Sequence, residues 1–332
     1  MRRIVLVFLG VLFLIGLPVQ ALADTGAEGM LKAVVRIRSL IPPEAESAGT
    51  LGTHREGNGV VIDADGTILT LSYLIREAES IEVSVPGEKP VRGTILGYDF
   101  YSGLALVKTH KPLGVAPIEL GRSAAVKSWD SLLVAGHGGE EAAQVVRVIS
   151  RSEFAGYWEY LLEEAIYTLP AYHDFGGAAL ISPEGKLVGI LSLFTQVTIP
   201  GVGSLPCNVS IPIDLLHPIL ASLKNAGRSG RVQRPWLGIN AEVSHGRIII
   251  TRVTSGGPAE KAGLKPGDMI LAVDGKEITG LSDFYRKVWS LGKAGVQVPL
   301  SALQGVKIRE ISVHSIDRHE RVRTRPGKEI SL

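Results

Sequence analysis

Residues 169–190 read LPAYHDFGGAALISPEGKLVGI, and two titratable side chains, His173 and Asp174, stand side by side just before a Gly-Gly pair. An imidazole next to a carboxylate can pass a proton, so the pair could work as a base with its orienting partner. His137, in the earlier loop SLLVAGHG, is a third such group. If His137, His173 and Asp174 converge, two histidines and a carboxylate offer a zinc site. Their spacing is not that of a tight metal motif, and solvated loop residues are the plainer reading. No serine, cysteine or threonine lies within AYHDF, so the segment holds a base and no nucleophile. Directly before Gly176 and Gly177 stands Phe175, whose ring has neither a lone pair nor a transferable proton.

The elements that must position these residues are short apolar runs between about 57 and 210. They include GVVIDADGTILTLSYLI, IEVSV, VRGTILGY, LALVK, AQVVRVIS and KLVGILSLF, separated by Asp-Gly, Pro-Gly and Glu-Gly turns. That pattern predicts an all-β sandwich or barrel, with a tight hairpin at Asp65-Gly66. IPIDLLHPILASLKNAG follows, with Leu215, Leu216, Ile219, Leu220 and Leu223 at helical spacing, interrupted at Pro218. GRSGRVQR, 227–234, reads as a linker. Beyond it, GRIIITRV and DMILAVDGKEI predict strands, GPAEKAGL a short helix opened by Pro258, and LSDFYRKVWSL an amphipathic helix. The segment 319–332 has no apolar period and is expected to be a disordered tail.

The chain has 332 residues, enough for two domains, and its 45% hydrophobic and 20% charged content marks it as globular. Residues 1–23 combine Arg2 and Arg3, an apolar core and small residues at Ala21 and Ala23, the pattern of a cleavable secretory signal. The core is short for a retained membrane anchor, so membrane association is expected only if the signal stays uncleaved. Without this segment 33 basic residues face 33 acidic ones, a balance that offers nucleic acid no attraction. Cys207 is the lone cysteine, so an exported chain of this size must rely on its core rather than on disulfides. The periplasm is the expected location, and no cofactor is expected.

With these segments in view, residues 57–226 resemble the trypsin-like domain of the HtrA/Deg family, and residues 235–318 resemble its PDZ domain. The likeness rests on GNGVVIDADGTILT, GLALVK and GGAALISPEGKLVGI in the first, and on WLGI and VTSGGPAEKAGLKPGDMILAVDGKEI in the second. It implies a mostly β chain: a two-barrel, chymotrypsin-type domain, then one α+β PDZ domain, with 24–56 as an N-terminal segment. The family's catalytic histidine would fall on Tyr73, its aspartate on Gly103 before LALVK, and its serine on Phe175 in HDFGGA. A tyrosine with its pKa near 10 is a poor base at neutral pH, and neither glycine nor phenylalanine can replace an orienting carboxylate or a nucleophile. Tyr73 and Phe175 are read as apolar fill for a closed cleft.

In the second domain the resemblance makes Trp236, Leu237, Gly238 and Ile239 the carboxylate-binding loop of a peptide groove. Backbone amides there would receive a C-terminal carboxylate while the next strand pairs with the peptide. Phe284 and Val288, one helical turn apart, would line the other wall. The function expected on these grounds is a non-catalytic, exported HtrA-like protein. It would bind C-terminal or extended peptides of envelope proteins as regulator, adaptor or chaperone, steering an active protease of the same family. The resemblance also implies trimers. The alternatives are an active serine-type endopeptidase with an unorthodox site, and a metal-binding relative built on His137, His173 and Asp174.

Overall fold

The computed structural model describes residues 25–321, so the expected signal in 1–23 and most of the expected tail, 322–332, lie outside the described residues. A short helix α1 (Thr25–Lys32) leads into β1 (Val34–Leu40), then come α2 (Ala48–Leu51), β2 (His54–Val61) and β3 (Thr67–Leu71). The chain continues through α3 (Ser72–Ile75), β4 (Ser80–Ser84), β5 (Val91–Tyr98) and β6 (Leu104–Thr109). These six strands close a barrel in the order β1-β2-β3-β6-β5-β4. Both faces of its strands are covered, with Ile37 and Ile68 fully buried on one and Leu69, Leu104 and Leu106 fully buried on the other. The turn from β2 to β3 falls at Asp65-Gly66 as the sequence predicts, tied by the Thr67 amide donating to Asp63 Oδ1 at 2.9 Å.

The second barrel comprises β7 (Ser131–Ala135), β8 (Ala143–Gly156), β9 (Tyr160–Leu169), β10 (Ala179–Ile181), β11 (Leu187–Ile199) and β12 (Gly203–Pro212). It closes in the order β10-β11-β12-β9-β8-β7. Tyr160, Ile190, Val209 and Ile211 from this barrel belong to the same apolar cluster as the first barrel's core, so the two pack as one body. Pro218 divides the helical segment as expected, leaving α4 (Leu220–Ala226) to pack Leu223 inward.

The third unit is a sheet of β13 (Ile239–Ser244), β14 (Arg247–Val253), β15 (Met269–Val273), β17 (Gln297–Gln304) and β18 (Lys307–His314), with β16 (Lys276–Glu277) paired to β15. Two helices cover it: α5 (Pro258–Lys261), opened by Pro258, and α6 (Leu281–Ser290). Phe284, Tyr285 and Val288 are the buried face of α6. The Thr279 amide donates to Asp283 Oδ2 at 2.9 Å, which fixes the start of that helix.

Two boundaries differ from the sequence reading. The segment 24–56 is not outside the barrel: β1 pairs with β2 on one side and β4 on the other. Its alternating VVRIRSL buries one face, and without it the first sheet would stay open. Residues 318–321 do not start a tail but form a 3-10 turn. The His319 ring stacks on Tyr98 at 5.7 Å, and Arg321 Nη2 donates to Glu46 Oε2 at 2.7 Å, so partners in the first barrel hold the turn. No helix among the described residues is long and apolar enough to cross a membrane.

Candidate functional site

The three positions matched to a catalytic triad lie where β3, β6 and the loop before β10 approach one another. β3 passes directly into α3, so Tyr73 sits two residues beyond the strand end. Its hydroxyl donates to the Ser192 carbonyl at 3.1 Å. Burial raises its pKa, so the phenol stays protonated at neutral pH and is no base.

Gly103 closes the turn before β6, its amide donating to the Asp99 carbonyl at 2.8 Å. It has φ +79°, and a Cβ there would stand 3.2 Å from the Tyr160 hydroxyl, which itself donates to the Ser102 carbonyl at 2.6 Å. The phenol of Tyr160 thus occupies the neighbourhood an aspartate at 103 would need.

Phe175 is half-buried, packed on the second barrel's core and tilted against Phe194 at 6.2 Å, a ring that is itself exposed. The reading of Phe175 as fill for a closed cleft is therefore too strong. Its ring is only partly buried, and the aromatic neighbour it leans on lies at the surface.

The loop itself is held from below by Asn58 on β2. The Asn58 amide donates to the Gly176 carbonyl at 2.7 Å, and its side-chain Nδ2 donates to the carbonyls of Asp174 at 2.8 Å and Gly176 at 3.3 Å. With Nδ2 committed as donor, Oδ1 is the acceptor, and it receives the His137 backbone amide at 2.9 Å and His137 Nδ1 at 2.7 Å. That assigns the proton of His137 to Nδ1 and leaves the Nε2 lone pair available. Asp174 Oδ2 lies 3.5 Å from the same Nδ1. Burial, together with the Arg36 guanidinium, lowers the His137 pKa, while Asp174 opposes the shift, so the ring is neutral at pH 7.

His137 and Asp174 therefore meet, whereas His173 turns away to stack on Phe194 at 5.8 Å. No three His, Cys, Asp or Glu side chains among the described residues are placed to share a metal ion, so the proposed zinc cluster does not assemble. The amides of His173 and Phe175 donate to no protein acceptor among the described residues.

Trp236, Leu237, Gly238 and Ile239 lead into β13, the edge strand of the third sheet. The groove expected beside them is filled. Glu159, at the tip of the β8–β9 hairpin, accepts from the amides of Leu237 at 2.9 Å, Gly238 at 2.7 Å and Ile239 at 3.0 Å. Burial pushes the Glu159 pKa up, while these amides and the Arg318 guanidinium pull against that shift. The Ala241 amide donates to the Tyr157 carbonyl at 2.9 Å, and Tyr285 donates to the Gly156 carbonyl at 2.6 Å. Phe284 and Val288 do not line an open wall; both are buried, in an apolar cluster that includes Leu161 from β9. Asn58, Glu159 and Tyr160 were all missed by sequence reasoning. The only signal for Asn58 was an amide set between glycines in an otherwise apolar strand.

Residues 57–190 match a trypsin-like peptidase domain, and residues 235–314 match a PDZ domain. The chain is 29% identical to the serine endoprotease DegS of Haemophilus influenzae over 258 residues, 74% of this chain and 73% of that one. It is 24% identical over 277 residues to the periplasmic pH-dependent serine endoprotease DegQ of Escherichia coli, covering 77% of this chain and 58% of DegQ. The structure of the HtrA-type protease AlgW with a decapeptide superposes with a TM-score of 0.52 at 20% identity, covering 89% of this chain and 99% of that one. These findings overturn the expectation of a protein without enzymatic activity: the relatives are named serine endoproteases, and the chain spans 55–73% of their length. Tyr73, Gly103 and Phe175 exclude one arrangement of nucleophile, base and orienter; they do not exclude hydrolysis by other groups.

Proposed function

We propose that this chain, HtrA-like in joining a trypsin-like peptidase domain to a PDZ domain, is an endopeptidase of the cell envelope acting on extended polypeptides through a site that does not use serine. The periplasm of its relatives supports that location. The PDZ groove that ends at the amides of Leu237, Gly238 and Ile239 is the polypeptide-binding element once Glu159 has left those amides.

The observation that carries the chemistry is His137, held by Asn58 Oδ1 with Nδ1 protonated and the ring neutral. Its Nε2 can take a proton from a water molecule as the water oxygen forms a bond to the peptide carbonyl carbon. The tetrahedral oxyanion is received by the free amides of His173 and Phe175. The proton on Nε2 then passes to the amide nitrogen as the C–N bond breaks, giving a free acid and a free amine. Asn58 and Asp174 fix the tautomer, the role a carboxylate fills in a Ser-His-Asp triad.

Incubation of the chain from residue 24 with casein should yield fragments, and a fluorophosphonate should neither label the chain nor slow the cleavage. Cleavage abolished by the fluorophosphonate would place a serine at the centre and overturn this reading. A casein band that persists unchanged would overturn the activity itself.

A further inference from the structure

We propose that the tip of the β8–β9 hairpin, Gly156–Glu159, is an internal ligand of the PDZ groove, and that a polypeptide with a free C-terminal carboxylate binds by displacing it. The proposal rests on the reading of this groove as a polypeptide site and adds what controls entry to it.

Peptide capture by an added strand needs three things: a carboxylate on clustered amides, main-chain bonds to a free sheet edge, and an apolar side chain in the pocket below. The hairpin supplies all three from within the chain. Both Glu159 oxygens are used, Oε1 by the amides of Gly238 and Ile239 and Oε2 by that of Leu237. Strand addition comes from the Tyr157 carbonyl on the Ala241 amide, along the outer edge of β13. Leu161, two residues beyond the carboxylate, is buried in the cluster that holds Leu237, Ile239, Phe284 and Val288.

The tip is specifically held. Glu159 has φ +59°, a left-handed conformation uncommon for a residue with a Cβ, and its residue is only 8% exposed. The Glu159 amide donates to the Tyr285 hydroxyl at 3.3 Å, and that hydroxyl donates to the Gly156 carbonyl. α6 therefore grips the hairpin from the side opposite β13. Any outside peptide competes for the same three amides and the same strand edge, so the two occupants exclude each other. An internal ligand lowers apparent affinity by the fraction of molecules whose groove is vacant.

The test compares the full chain from residue 24 with its Glu159→Ala and Glu159→Gln variants, by fluorescence anisotropy. The probe is a pool of fluorescein-labelled nonapeptides ending in free-carboxylate valine. Glu159→Ala should bind at least tenfold tighter than wild type, with Glu159→Gln between them, and the amidated pool should gain far less. Hydrogen exchange on the wild-type chain requires no variant: added peptide should speed exchange in 156–160 while 237–241 stay protected. Equal affinity in all three chains with unchanged exchange in 156–160 would overturn the internal ligand while leaving the groove a polypeptide site. Absence of binding in all three, Glu159→Ala included, would overturn both.

Discussion

Replacing Gly177 by alanine should destabilise the peptidase domain by about 2–5 kcal/mol, combining roughly 1–2 kcal/mol for a left-handed residue with a Cβ and 1–3 kcal/mol for overpacking. Gly177 has φ +85°, and a Cβ built on it would lie 2.0 Å from the Asn58 carbonyl oxygen. That contact is with backbone, which has no rotamer to escape into. The Gly177 amide also donates to the Leu191 carbonyl at 2.9 Å, so the loop cannot simply move away. Urea unfolding followed by tryptophan fluorescence should show an earlier transition. A midpoint equal to that of wild type would mean that the loop is not packed on β2 as described.

Phe284→Ala should cost the PDZ domain about 3–5 kcal/mol, the range for truncating a fully buried phenylalanine. The ring is 0% exposed and belongs to the cluster formed by α6, β13 and the hairpin residue Leu161. The loss should appear in the transition of the third unit and should loosen the hairpin tip, because Tyr285 beside it holds Gly156. Calorimetry of the variant with an unchanged profile would contradict the placement of this ring.

Much of the fold was legible because it follows from local pattern. Runs such as TILTL and LALVK, broken by turn residues, could bury themselves only in a closed sheet, and both became barrel strands. The stretch from Trp236 to Ile278 carried its own turn and helix signals, with Pro258 at the start of α5. The first strand was passed over because VVRIRSL carries two arginines among its apolar residues and one of its two partners, β4, begins 40 residues beyond its end.

The site was less legible. Tyr73, Gly103 and Phe175 could be placed from their neighbours, but what surrounds them could not. Nothing local connects His137 with Asn58, 79 residues earlier. Nor does a glutamate in YWEY, which reads as a solvated hairpin tip, announce that it will meet amides 78 residues later. Those contacts are made by the packing of barrels and sheet, and the chemistry follows from them.

The proton-accepting role of His137 is tested most directly by casein cleavage at pH 7 with wild type and His137→Gln side by side. Glutamine can still donate to Asn58 Oδ1 but accepts no proton at this pH, so the loop keeps its anchor and loses its base. General-base catalysis contributes about 10²–10⁴-fold. The wild-type chain should therefore cleave casein, and His137→Gln should be slower by about 10²-fold or more, with an unchanged urea midpoint. Equal rates for the two chains, or no cleavage by the wild type, would contradict the account.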